Sequence, residues 1–390
     1  MEAYFDNAAT TKVFNSVKDI MEKVLCEDYA NPSSLHVKGL DAERYIRNTR
    51  EIIAKHLKIQ EKEITFTSGG TESNNLALIG AAFANKRSGK HIIASGIEHP
   101  SVYNALNFLE DEGFRITYVP VDSCGKIIID ELIKEIREDT ILVSIMYVNN
   151  EIGSVQDISK ISSSIKRVNS STLLHVDAVQ AFGKYNIYPK REGIDLLSIS
   201  GHKIHGPKGI GALYHREKVK ITPLMFGGGQ ENNLRPGTEN VPAIAGLGQC
   251  ISDIYKNHEE KIESLYLIKE QFVKGIIHLD KLIGGVSINA MEEDIRETAP
   301  HLISVSFKNI RSEVLLHALA DKGVFVSSGS ACSSNHPDIS PVLKAIGVEQ
   351  DLWHGTIRFS FSFFTGSDEI QYALDSLEEL VPILRKYQPH

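Results

Sequence analysis

The chain has 390 residues, 42% of them hydrophobic and 24% charged, with a formal net charge of −8. That is the make-up of an ordinary globular protein with room for two domains and a large core. The acidic balance, with Lys and Arg dispersed, excludes a basic nucleic-acid surface, and no apolar run approaches the ~20 residues that cross a bilayer.

The first dozen residues are extended and too polar for a core helix. They are expected to join a smaller domain or to run across a larger one. Met1 to Asn7 lacks the basic start and apolar core of a signal peptide. Ile64-Thr65-Phe66-Thr67 reads as a strand followed by a helical run from Thr71, and Ile92–Ser95 as a strand followed by a helix from about Ser101. Asp130–Arg137 reads as a helix, Ile141–Tyr147 as a strand, Ile158–Val168 as a helix, and Leu173–Val176 and Leu196–Ser200 as buried strands. This alternation predicts an α/β fold with a mostly parallel sheet covered on both faces. Over Glu259–Leu279, Ile262, Leu265, Ile268, Phe272 and Ile276 recur at helical spacing and mark the passage to a second domain. Leu302–Phe307, Glu313–Asp321, Val324–Ser327, Thr356–Phe361 and Asp368–Lys386 then suggest a small α+β domain. The expected division is a large domain over 15–258 and a small domain from 1–14 and 259–390. The four scattered cysteines, Cys26, Cys124, Cys250 and Cys332, form no C-x-x-C pair. Neither a disulfide framework nor a structural zinc site is expected, and a reduced cytoplasm is the expected location.

Several polar residues interrupt this apolar pattern at strand ends, where α/β sheets place ligands. Thr67-Ser68-Gly69-Gly70-Thr71-Glu72-Ser73 joins a strand to a helix. Its small residues and free first-turn N–H groups suit a phosphate, although many such turns only cap helices. Glu98-His99-Pro100-Ser101 puts His99 at the same sheet edge, where an imidazole can be structural or can stack on a flat ring and move protons. Asp177 ends the strand that includes His175 and Val176. In Ser200-Gly201-His202-Lys203-Ile204-His205-Gly206, a glycine-punctuated loop presents Lys203 beside the oxygen-rich turn of Ser200 and His202. Read alone, Lys203 is a surface lysine or a Schiff-base nucleophile. A lysine for an aldehyde paired with an aspartate for a pyridinium nitrogen is what pyridoxal phosphate (PLP) chemistry requires. Ser327-Ser328-Gly329-Ser330-Ala331-Cys332-Ser333-Ser334 sets one cysteine in a polar stretch and reads as a reactive thiol. Thr356-Ile357-Arg358-Phe359-Ser360-Phe361 alternates as a half-buried strand whose Arg358, pointing away from the core, suits a carboxylate or is merely solvated or salt-bridged.

With these residues in place, the chain resembles the NifS/IscS-type cysteine desulfurases, fold-type-I PLP enzymes of the class V aminotransferase group. The likeness runs from Phe5-Asp6-Asn7-Ala8-Ala9-Thr10-Thr11 to about Phe364. It includes Asn31-Pro32-Ser33-Ser34, Val148-Asn149-Asn150-Glu151-Ile152-Gly153, His175–Gln180, Ser200–Gly209, the NifS-like Arg235-Pro236-Gly237-Thr238-Glu239-Asn240, and Ser327–Cys332. The resemblance implies that Lys203 holds PLP, Asp177 pairs with its ring nitrogen, His99 stacks on the ring, and Gln180 and Asn150 lie near the ring oxygen. It implies a phosphate site of Gly70, Thr71, Ser200 and His202, joined by Thr238 from the second subunit of a homodimer. Asn31 and Arg358 are implied to bind the substrate carboxylate of L-cysteine, and Cys332 to take the sulfur as a persulfide. No resident metal is implied, beyond transient ligation of an iron–sulfur cluster by Cys332.

The implied recipients are sulfur-acceptor proteins, either an iron–sulfur scaffold or a tRNA-thiolation enzyme, with no membrane and no direct nucleic-acid partner. The sequence stops at His390, soon after the last predicted helix, where IscS-type proteins carry a further tail that engages the scaffold. The nearest alternative is a selenocysteine lyase or another class V aminotransferase. A non-catalytic sulfur carrier using Cys332 alone is the farther one, and it needs no Lys203, Asp177 and His99 set.

Overall fold

Between residues 64 and 215 the apolar runs assemble into one seven-stranded sheet. In the computed structural model, which describes residues 1–328 and 340–386, a short N-terminal strand β1 (Ala3–Tyr4) precedes them. β2 (Ile64–Thr67), β3 (His91–Ser95), β4 (Arg115–Val119), β5 (Thr140–Met146), β6 (Leu173–Asp177), β7 (Leu196–Ser200) and β8 (Gly211–His215) follow. Their order across the sheet is β2-β8-β7-β6-β5-β3-β4. All neighbours are parallel except that β8 runs against both β2 and β7.

The central strands must bury both faces, and their side chains do so in alternation. Ile93, Val143 and Ile145 enter one hydrophobic core with helices Asn15–Cys26, Val37–Leu57, Ile158–Val168 and Val241–Tyr255. Ile92, Ala94 and Leu142 enter a second, with helix Pro100–Asp111 and the helical run from Leu76 to Ala82. Two-sided burial is what makes β5 a continuous apolar run rather than an alternating one.

A smaller sheet is antiparallel. β9 (Val286–Ile288), β10 (Leu302–Phe307), β12 (Ser327–Ser328) and β13 (Thr356–Ser360) lie in the order β12-β13-β10-β9. β11 (Val324–Phe325) leaves that sheet and pairs in parallel with β1. The single strand read over Val324–Ser327 is therefore two strands in two sheets. Alternation tells which side chains are buried but not which neighbour takes each backbone edge. A separate core gathers Ala3 and Phe5 with Phe272, Val305, Phe359 and Leu377 from the small sheet and the helices His258–Ile283 and Ser367–Arg385.

Boundaries shift for local reasons. Helix His258–Ile283 extends past the amphipathic run, from the left-handed Asn257 (φ 56) to Gly284 (φ 65). Helix Ile129–Glu135 stops before Arg137 because Ile136 turns extended and buries its side chain. Between the sheets, residues 5–14 form a strap. Asp6 bridges to Ser360, Thr11 N–H donates to the His202 carbonyl at 2.9 Å, and Phe14 N–H donates to the His205 carbonyl. The strap closes one side of a cleft at the C-terminal ends of the parallel strands.

Candidate active site

The parallel strands end together, and their last residues and following turns face one cleft of about 330 Å3. Gly70, Thr71, His99, Asn150, Asp177, Gln180, Ser200, His202, Lys203 and Arg358 all line it, as do Asn74, Ser101 and Ala8–Ala9 of the strap. Asn31 and Thr238 do not. Both are exposed, and the Asn31 side chain is turned to accept the Ser33 N–H at 2.9 Å. Cys332 lies outside the described residues. The residues on either side of that stretch are anchored beside the cleft: Ser327 pairs with Arg358 across β12 and β13, and Ser340 donates to Glu151 at 2.6 Å.

Asp177 ends β6 as a buried carboxylate with neutral donors on both oxygens. Asn74 Nδ2 reaches Oδ2 at 2.7 Å, and the Val179 N–H reaches Oδ1 at 3.0 Å. The same Asn74 amide donates to Ser101 Oγ, which lies 2.8 Å from His99 Nδ1, and the Ser101 N–H also points at Nδ1. A backbone donor at Nδ1 makes that nitrogen an acceptor, so a neutral His99 carries its proton on Nε2. Burial is the larger influence on His99 and lowers its pKa. The nearby Lys203 charge adds to that, while Asp177 opposes it. A neutral, oriented imidazole is the form that stacks on a cationic ring without repulsion.

Lys203 closes the short helical turn Gly201–Lys203 after β7. Gly201 is required there, since a Cβ would stand 2.9 Å from the Pro207 carbonyl oxygen. The Lys203 ammonium donates to the Ala8 and Ala9 carbonyls, both at 2.7 Å. The strap thus aims the amine. Gln180 Nε2 donates to the same Ala8 carbonyl, and its Oε1 lies 3.2 Å from His301 Nε2.

At the other end, the Ser200 hydroxyl is buried without a hydrogen-bond partner among the described residues. Opposite it, Gly70 has no room for a side chain: a Cβ would lie 2.6 Å from Val179 Cγ2. Burial first, then the charges of Lys203, Lys208 and Lys184, push the His202 pKa down to about 4, so it is a neutral donor or acceptor at neutral pH. An orphaned hydroxyl, the Thr71 side chain and a backbone that only glycine permits make a cradle for an oxyanion. The residues fit PLP in their chemistry: an oxyanion cradle, an amine and a buried carboxylate line one cleft.

Arg358 stands on β13, whose Ile357 and Phe359 face the small core. It is buried, so the solvated alternative does not hold. Nη1 donates to the Asn150 carbonyl and Nη2 to Asp6 Oδ1, both at 2.9 Å, while Nε has no partner among the described residues. Nearby, burial pushes the Glu151 carboxyl up to about 7, with the Ser340 hydrogen bond and Arg358 pulling the other way. Glu98, wholly buried under the cleft, is raised to about 8, although Ser95 and the Met146 N–H donate to it.

Sequence reasoning missed Asn74, Ser101, His301, Lys184 and Asp6. A signal existed for two of them. Asn74 is one helical turn beyond Thr71 on the same face, and Ser101 follows His99 at the spacing of a side-chain cap.

The Aminotransferase class-V family profile matches residues 3–373. "Cysteine desulfurase IscS" of Dictyoglomus turgidum is 44% identical over all of this chain and 97% of its own length. "Cysteine desulfurase IscS" of Methanosarcina thermophila is 42% identical, over 99% of this chain and 93% of its own. Among solved structures, one described as "NIFS-LIKE PROTEIN" superposes with a TM-score of 0.91 at 38% identity, over 98% of this chain and all of that one. "SspA in complex with cysteine" gives 0.78 at 35% identity, over 93% of this chain and all of that one.

Proposed function

The chain belongs to the class-V aminotransferase family, and from that premise we propose that it is a PLP-dependent cysteine desulfurase. It converts L-cysteine to L-alanine and passes the sulfur, through a persulfide on the enzyme, to acceptors of iron–sulfur cluster assembly or tRNA thiolation. The observation that carries this reading is the meeting of Lys203, Asp177, His99 and the Ser200 hydroxyl, partnerless among the described residues, in one cleft.

When bound, PLP supplies a ring that accepts electrons from the substrate Cα. Lys203 Nζ attaches its aldehyde covalently. The Asp177 carboxylate would keep the ring nitrogen protonated, the His99 imidazole would stack on the ring, and Gln180 and Asn150 would serve the ring oxygen. Gly70, Thr71, Ser200 and His202 hold the phosphate, with Thr238 of a second subunit completing the site in a homodimer. Lys203 Nζ is the base that would take the proton from the substrate Cα. The Arg358 guanidinium, helped by Asn31, receives the substrate carboxylate. The Cys332 thiolate attacks the substrate sulfur: a sulfur–sulfur bond forms, the bond from that sulfur to the substrate Cβ breaks, and the organic product leaves as alanine.

The test is incubation with cysteine and a reductant, reading alanine and sulfide in equal amounts, with borohydride reduction and peptide mapping to place the pyridoxyl group on Lys203. Label on another lysine, or no alanine, sinks the reading. Cys332→Ser is expected to retain PLP while alanine and protein-bound persulfide fall to background.

A further inference from the structure

Behind Lys203 is a second lysine with no role in the chemistry above. Lys184 lies in the turn after β6, is 8% exposed, and no ion pair joins it to a carboxylate among the described residues. Its side-chain hydrogen bond among the described residues runs from Nζ to the Lys203 backbone carbonyl, at 2.7 Å. Together with Lys203, His205, His301, Asn7 and Thr11, it lines a second, small pocket of about 10 Å3, the size of one water. The ionisable groups facing it are Lys203, His205, His301 and the thiol of Cys250. His301 and His205 are held neutral by burial, and burial likewise keeps the Cys250 thiol protonated. Among the described residues, neither the two histidines nor the thiol supplies a counter-charge.

A buried lysine without a counter-ion is costly, and a hydrogen bond to one carbonyl does not require an ammonium. An amide or hydroxyl would hold that carbonyl as well. What a lysine adds at this position is a titrating positive charge next to the reacting amine.

We propose that Lys184 is a positioning residue for Lys203: its hydrogen bond fixes the Lys203 backbone, and its charge disfavours a proton on the neighbouring amine. The proposal rests on the reading of Lys203 as the PLP lysine. The two cations repel each other mutually. In agreement, burial and the Lys203 charge, in that order, lower the Lys184 pKa to about 7. The lysine that must act as nucleophile and base is thereby kept from holding its proton too tightly at neutral pH.

The test uses the holoenzyme and three variants: Lys184→Met removes charge and hydrogen bond, Lys184→Gln keeps a donor without charge, and Lys184→Arg keeps the charge. The readout is the pH midpoint of the visible absorption of the lysine-bound cofactor, with thermal melting alongside. Loss of a nearby cation favours the protonated form, so Met and Gln are expected to raise the midpoint by about one pH unit, and Arg to restore it. A purely structural lysine would lower the melting temperature of Met and leave every midpoint in place, which overturns the inference. So does a Gln variant with the wild-type midpoint. Should none of the variants fold, wild-type protein labelled with 13C at the lysine ε-carbon gives the answer. Burial also lowers the Lys269 pKa to about 7, so the Lys184 resonance is assigned first; its titration in the ordinary lysine range overturns the inference, and titration near neutrality supports it. A wild-type protein without the cofactor band would fail the functional reading itself, whereas an intact band with unmoved midpoints fails only this proposal.

Discussion

Asp177 and Arg358 are opposite charges buried at two ends of one cleft, and they are held in opposite ways. Among the described residues Asp177 takes hydrogen bonds from neutral donors, Asn74 and the Val179 N–H, which fix its position without cancelling its charge. Arg358 is already cancelled by Asp6 and keeps one nitrogen, Nε, without a partner among the described residues. A carboxylate that retains its charge suits a cation that stays. A guanidinium paired with a replaceable carboxylate suits an anion that comes and goes. Retention of a cofactor and turnover of a substrate thus ask for different electrostatics, and the two ends supply them from different sheets.

The asymmetry is broken first at Asp177. Asp177→Asn preserves the shape and removes the charge, and kcat for alanine formation is expected to fall on the order of 10³-fold. A variant within tenfold of wild type, assayed with its PLP content verified, would show that the charge is not required. Arg358→Lys is expected to keep the PLP spectrum while weakening cysteine binding by ~1.5–3 kcal/mol, read as the spectral titration midpoint. Unchanged affinity removes Arg358 from the substrate site.

Glu151 sharpens the picture at the same end, since its neighbour Asn150 holds Arg358. Its folded pKa, about 7, lies above the unfolded carboxyl value. The native state therefore binds that proton more tightly, and the associated stability is full in acid and lost as pH rises through about 7. Glu151→Gln stays neutral and should gain about 2 kcal/mol over wild type at pH 8 and little at pH 4, by denaturant unfolding. Equal differences at both pH values would mean that Glu151 does not titrate on folding. The smallest effect is expected at Asp6. Asp6→Asn leaves Arg358 a full charge, and cysteine affinity should rise by roughly threefold, about 0.7 kcal/mol. A fall in affinity would mean that Asp6 orients Arg358 more than it competes for it.

Much of this was legible in the chain. Asp177 and Ser200 stand out as polar residues closing apolar runs, because a parallel strand buried on both faces tolerates polarity only at its ends. Gly70 and Lys203 sit in turns whose composition shows the chemistry. Asp6 with Arg358 could not be read, since 352 residues separate them and only the crossing of the strap over β13 joins them. Nor could Lys184: nothing local distinguishes a buried lysine from a solvated one. Helix Val241–Tyr255 escaped because it is apolar nearly all round, with ten of its 15 residues buried, which erases the amphipathic stripe. His301 follows Ala299-Pro300 in a loop, and its link to Gln180 exists only once the small sheet docks.

The N-terminal strap has a consequence for how the protein is made. The strap is made long before its partners in the small sheet: Ala3 waits for Val324, and Asn7 and Ala8 wait for Ser360. Until Ser360 has been made, the Ala8 and Ala9 carbonyls that hold the Lys203 ammonium belong to a strap anchored to the large domain but not yet to β13. The large sheet can form earlier from its own contacts, but a nascent or prematurely terminated chain carries its lysine on a strap secured on one side only. Competence therefore arrives in one late step, when the two termini meet, and an incomplete polypeptide is not a partly working enzyme.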